Sequence, residues 1–164
     1  MNTSQRRTAV AIVLVMSLIV ARVTLFNLPA AAQTNEGAAK EVIAIAKAQW
    51  KAQIEKKAVA TVMQNVADEY TQFGPATPTR TDGKALNMRL GEAFFSGSGG
   101  RVAAEMANEK VQVYGDVAIL SYNFIGMDKD KDGKVEPVFA KSTRVYVKKD
   151  GKWMLVHANF APVK

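Results

Sequence analysis

TRVYVKKDGKWMLVHANFAPV, residues 143–163, holds two runs of alternating side chains joined by Asp150-Gly151. Asp-Gly is the preferred pair for a two-residue hairpin turn, because it tolerates the positive φ that matches the twist of the flanking strands. That turn pairs Lys148 with Trp153, Tyr146 with Leu155 and Arg144 with His157. Alternation then sets Ser142, Arg144, Tyr146, Trp153, His157 and Asn159 on one face, and Thr143, Val145, Val147, Met154, Val156, Ala158 and Phe160 on the other. Both faces are too apolar to be left in water.

Working back along the chain, RVAAEMA (101–107), KVQVY (110–114), VAILSYNFIGM (117–127) and VEPVFA (135–140) are extended runs rich in Val, Tyr and Phe. Upstream the period changes. Between Gly37 and Lys57 the residues Val42, Ile43, Ala46, Trp50 and Ile54 recur at threes and fours, which predicts a long amphipathic helix. A short helix over Val59 to Val66 follows, then a strand-like EYTQFGP. The loop ATPTRTDG (76–83) ends by capping a third helix with Thr81 or Asp82, whose buried stripe is Leu86, Leu90 and Phe94. SGSGG (96–100) stops that helix; its glycines lack phosphate-loop spacing and follow no strand. Helices first and hairpins after predict an α+β fold with helices on an antiparallel sheet.

Residues 1–32 read as a signal peptide. Arg6 and Arg7 precede the apolar run Ala9 to Ala21, and small residues at Ala30 and Ala32 place cleavage after Ala32. The competing reading is an N-terminal membrane anchor over Ala9 to Leu28, disfavoured by Arg22 in its interior. Either way residues 33–164 form one exported domain, secreted or periplasmic, with no membrane contact after cleavage. The segment carries three arginines and no acid, so losing it lowers the formal net charge from +7 to +4. The remaining lysines are scattered and no basic helix with interleaved aromatics is present, which argues against nucleic-acid binding. With no cysteine, disulfides and thiolate chemistry are excluded.

MDKDKDGKVEP (127–137) spaces Asp128, Asp130 and Asp132 two apart ahead of Gly133, like the first half of a calcium loop. A calcium loop of this kind needs a Glu at position twelve and flanking helices, whereas position twelve is Phe139 and both flanks are strand-like. The segment reads as a hairpin connector, and no metal or cofactor is expected.

The R-x-aromatic then DGKW-x-x-VH order of Arg144, Tyr146, Asp150, Gly151, Lys152, Trp153, Val156 and His157 resembles the nuclear transport factor 2-like superfamily. Within it, the sequence is similar to the SnoaL-like group and to the association (hub) domain of calcium/calmodulin-dependent protein kinase. FGPATPTRTDG resembles that family's loop before its third helix, and the resemblance covers residues 37–162. It implies a cone-shaped fold, a strongly curved sheet around helices with a pocket open at one end. It also implies that Arg144 points into that pocket, where small carboxylates are held, a task suited to a planar guanidinium that stays charged when buried.

The expected ligand-binding set is Arg144, His157, Tyr146, Asn123, Trp50 and Tyr70, with Asn123 on the Arg144 side of the sheet and the aromatic rings as core and pocket wall. The expected partners are a small-molecule ligand, carboxylate or apolar, and a second copy of the chain in a homodimer or larger ring, which would cover the apolar sheet face the helices leave open. The alternative is an isomerase, cyclase or dehydratase on the same scaffold. Its candidate bases are His157, Asp68 and Glu69, the two acids at a helix end near the pocket mouth.

Overall fold

The computed structural model describes residues 30–75, 77–95 and 99–163. The expected signal peptide lies outside them except for Ala30, Ala31 and Ala32, which open the first helix, and part of SGSGG lies outside them too. Among the described residues no helix is long and apolar enough to cross a membrane. Three helices, α1 (Ala30–Ile54), α2 (Val59–Val62) and α3 (Lys84–Phe95), accompany six strands: β1 (Val66–Phe73), β2 (Thr81–Asp82), β3 (Gly100–Tyr114), β4 (Val117–Lys129), β5 (Val135–Lys149) and β6 (Lys152–Pro162). From Gly37 onward the chain forms one compact unit.

The sheet order is β2-β1-β6-β5-β4-β3. Four successive strands, β3 to β6, form an antiparallel meander whose connections follow the local chemistry. Asp150 and Gly151 both have positive φ (49° and 77°), as the hairpin turn requires, and Gly115 (φ 60°) turns β3 into β4. RVAAEMA and KVQVY are one strand with a register shift around Asn108, which itself has φ 53°. The sheet is mixed where an antiparallel one was expected: β1 runs parallel to β6, with Thr71 opposite His157 and Phe73 opposite Asn159. The long connection from β1 to β6 through the meander permits this, because only short hairpin links force antiparallel neighbours.

The core forms where α1 lies on the inner face of the meander. Val42, Ala46 and Trp50 of α1 are buried against a cluster that includes Leu120, Tyr122 and Phe124 of β4, Tyr146 of β5 and Leu155 of β6. Trp50 meets Tyr122 and Phe124 edge-on, at centroid distances of 5.6 and 5.3 Å. On α3 the expected stripe of Leu86, Leu90 and Phe94 is rotated. Asn87 is the buried residue, held by a hydrogen bond from the Thr81 hydroxyl to its Oδ1 (2.8 Å), while Leu90 and Phe94 are 41% and 50% exposed. This polar anchor to β2 sets the helix rotation against its apolar period.

The candidate site: Arg144 on the inner face

The hairpin register departs from its expected form at one residue. From the turn, Lys148 faces Trp153 and Tyr146 faces Leu155 as expected, but then Val145 faces His157 and Arg144 faces Ala158. Val156 is an extra residue in β6, a bulge that reverses the alternation beyond it. His157 and Asn159 therefore lie on the outer face, and Ala158 and Phe160 on the inner one. His157 bonds through Nδ1 to the Thr71 hydroxyl (2.8 Å) and stacks edge-on with Phe73 at 6.0 Å.

Asn123 also takes the outer face. It stands opposite Lys141 and accepts a hydrogen bond from Asn108 (3.1 Å), while its neighbour Tyr122 points inward. Asp68 and Glu69 are exposed within β1, not at a helix end. Glu69 pairs with Lys149, and that hydrogen bond holds its carboxyl below the usual carboxylate range, which makes it a weaker base. The structure does bring Arg144, Tyr146, Trp50 and Tyr70 together on the inner face.

Arg144 is 4% exposed. Its Nε donates to the Tyr122 hydroxyl (2.9 Å), one terminal nitrogen donates to Gln49 Oε1 on α1, and the guanidinium lies over the rings of Trp50 (5.7 Å) and Phe160 (5.3 Å). Burial opposes its charge, but interaction with Tyr122, Tyr146 and Tyr70 outweighs burial, so its pKa rises above the ordinary arginine value and it stays a cation. Burial pushes the Tyr70 and Tyr146 phenols above their ordinary value, so neither supplies a negative charge at neutral pH. The Tyr70 hydroxyl is spent on Gln72 (2.7 Å). Ser142 and Tyr146 flank Arg144 on the same face, and among the described residues no group stands at hydrogen-bond distance and angle to their buried hydroxyls, the Tyr146 hydroxyl interacting with Arg144 only more loosely. Buried polar groups are seldom left in that condition.

A second arginine provides the internal comparison. Arg101 of β3 is partly buried over the Phe124 ring (4.6 Å) and donates to Gln53 Oε1 on α1 (3.0 Å). It also holds Asp128 in a two-point pair, 3.0 and 3.2 Å. Gln49 and Gln53 are one helical turn apart, so each receives one arginine from the sheet. Arg101 has a glutamine and a carboxylate; the deeper Arg144 has a glutamine and, among the described residues, no carboxylate.

Beside this cluster lies a cavity of about 180 Å³, bounded by Gln49 and Ala52 of α1, by Asn65, and by Tyr146 and Leu155, with Lys51, Glu55 and Lys57 also on its wall. Gln49 belongs to both the cavity wall and the Arg144 contact. Sequence reasoning did not single out Gln49, Tyr122 or Phe160. The available signal was polar: Gln49 and Gln53 continue the inward spacing of Val42 and Ala46, where an apolar helix stripe has no reason to carry amides.

Comparison with known families settles the scaffold. Residues 38–162 match the profile of the calcium/calmodulin dependent protein kinase II association domain. The chain belongs to that family. Solved association domains share its fold. That of C. elegans CaMKII is 19% identical with a TM-score of 0.62, covering 78% of this chain and 98% of its own. The Chlamydamonas reinhardtii CamKII hub homology domain is 25% identical with a TM-score of 0.62, covering 77% and 98%. A ketosteroid isomerase-like protein from Erwinia carotovora atroseptica is 21% identical with a TM-score of 0.64, covering 76% and 95%. A search of curated proteins returned no match. Membership establishes the association-domain fold of the nuclear transport factor 2-like type for this chain.

Proposed function

We propose that this association-domain protein is an exported, self-associating binding module whose pocket takes a small carboxylate-bearing ligand on Arg144. The observation that carries the reading is the contrast between Arg101, which has its carboxylate, and Arg144, which is more deeply buried and has none among the described residues. Phenol, amide and ring contacts hold the Arg144 cation in place of a counter-charge, and a small carboxylate would add the charge-assisted pair that Arg101 already makes. The Ser142 and Tyr146 hydroxyls offer such a ligand further hydrogen bonds. Of the expected set, Arg144, Tyr146, Trp50 and Tyr70 share the buried inner face, which supports the reading, while His157 and Asn123 lie on the outer face.

Export rests on the order of Arg6 and Arg7, the apolar run and Ala30 to Ala32. Self-association rests on the outer face, where Ile125 and Phe139 stand opposite each other, 39% and 48% exposed, and on relatives described as hubs. The isomerase, cyclase or dehydratase reading has less support. Among the described residues no Asp, Glu or His contacts Arg144, and Glu55, the acid on the wall of the adjoining cavity, pairs with Lys51 and Lys57.

The test is a thermal-shift series with propionate, benzoate and their neutral amides on the wild type and on Arg144→Met. Carboxylates are expected to raise the Tm of the wild type alone, and the amides to raise neither. Equal stabilisation of both proteins by carboxylates would remove Arg144 from the site. Sedimentation velocity at micromolar concentration reads self-association separately, and a monomer there counts against it.

A further inference from the structure

Gln49 accepts a hydrogen bond from the Arg144 guanidinium and also lines the cavity of about 180 Å³. Its Oε1 sits on the guanidinium as a carboxylate oxygen would. Its other contact is weak, an Nε2 to Met63 Sδ approach of 4.0 Å, so a single hydrogen bond does most to fix its rotamer. Tyr146 borders the same cavity yet has no exposed surface, which is consistent with Gln49 closing the space in front of it. The neighbouring turn of α1 shows the alternative arrangement: Gln53 keeps its bond to Arg101 while Asp128 takes the other nitrogens from the sheet side. On Arg144 those directions are taken by Tyr122 and by the rings of Trp50 and Phe160. The side facing the cavity is therefore the one open to exchange, and Gln49 is on it.

We infer that the Gln49 amide is the resident occupant of the anion subsite on Arg144, and that a small monocarboxylate binds by displacing it and filling the adjoining cavity between α1, Asn65 and Leu155. The inference rests on the carboxylate reading of the site and adds the identity of the gate and the size of the ligand. The cavity, about 180 Å³, suits a ligand with a few carbon atoms beyond its carboxylate. A neutral amide of the same shape gains nothing over Gln49 itself, so the gate also selects for charge: only an ionised competitor exchanges a neutral contact for a charge-assisted pair.

Three forms of the full chain test this: wild type, Gln49→Ala and Gln49→Glu. Propionate binding is measured by calorimetry with propionamide as control, and Tm is measured without ligand across pH. Removing the gate in Gln49→Ala is expected to tighten propionate about tenfold, because the binding-competent state no longer has to be opened. Gln49→Glu places a tethered carboxylate on Arg144 at high effective concentration, so propionate binding is lost. The same variant gains Tm without ligand, on the order of 5 °C at neutral pH.

The gain in Gln49→Glu has a definite sign with pH. Pairing with Arg144 depresses the folded-state pKa of the new carboxyl, so the gain is full above the unfolded carboxylate value and disappears as pH falls through the folded one. If all three forms bind propionate alike and Gln49→Glu shows no such gain, the gate is overturned while the Arg144 reading stands. If no form binds propionate but Gln49→Glu shows the gain, Gln49 occupies the subsite and the carboxylate-ligand reading fails. If no form binds and the gain is absent, both are overturned.

Discussion

Val145, not Arg144, pairs with His157 across the β5–β6 hairpin, because Val156 is an extra residue in β6. That one residue separates the two groups of the 143–163 segment with the most chemical potential by placing them on opposite faces of the sheet. His157→Ala is therefore expected to leave carboxylate binding within about twofold of wild type. It should lower stability by about 1 kcal/mol through the lost Thr71 bond. Calorimetry and denaturant titration of the same variant check the two halves. A large loss of binding would return His157 to the pocket.

Arg144→Met exchanges a buried cation with no carboxylate for an apolar chain of similar reach, at the loss of the Tyr122 and Gln49 bonds. Removing the desolvated charge offsets the lost hydrogen bonds, so the variant should melt within about 3 °C of wild type or above it, while carboxylate binding disappears. Scanning calorimetry decides the point. A fall of about 10 °C would mean that Arg144 is kept for folding rather than for a ligand.

Arg101→Ala should be the more damaging arginine change. It strips Asp128 and Gln53 of their partner and uncovers the Phe124 ring, which together predict a loss of about 2–4 kcal/mol in urea unfolding. Comparing it with Arg144→Met measures directly how a satisfied and an unsatisfied buried guanidinium differ.

Calcium at about 1 mM is expected to leave the Tm unchanged. Asp128 is committed to Arg101, and Asp130 Oδ1 accepts from the backbone of Asp132 and Lys134 to shape the 130–134 turn around Gly133 (φ 88°). Among the described residues no group of three or more acids or histidines is placed to hold an ion.

The acid limb of stability has two contributors with a common sign. Lys149 holds the Glu69 carboxyl below its ordinary value, and Arg80 does the same for Asp82. Their stabilisation is present above the unfolded carboxylate pKa of about 4 and is lost as pH falls through the lower folded values. Glu69→Gln should flatten the decline of Tm below about pH 4 and leave the neutral plateau nearly unmoved, since both pairs lie on the exposed surface.

The sequence by itself determined the scaffold: the spacing of Val42, Ala46 and Trp50, the alternation along the four long strands, and the two positive-φ residues Asp150 and Gly151 are local signals, and local signals survive without tertiary context. The site was legible only in part. Alternation puts Arg144 and Tyr146 on one face and the resemblance makes Trp50 and Tyr70 core and pocket wall, and all four meet on the inner face; Gln49, which joins them, is hidden in a helix stripe, and alternation alone assigns Phe160 to the wrong face. Tertiary packing decided the faces of His157, Asn159 and Phe160 for one physical reason. Side chains in a strand alternate with period two, so a single inserted residue such as Val156 inverts every assignment beyond it. Whether a strand bulges there depends on what its neighbours bury, here β1 on one side and β5 on the other.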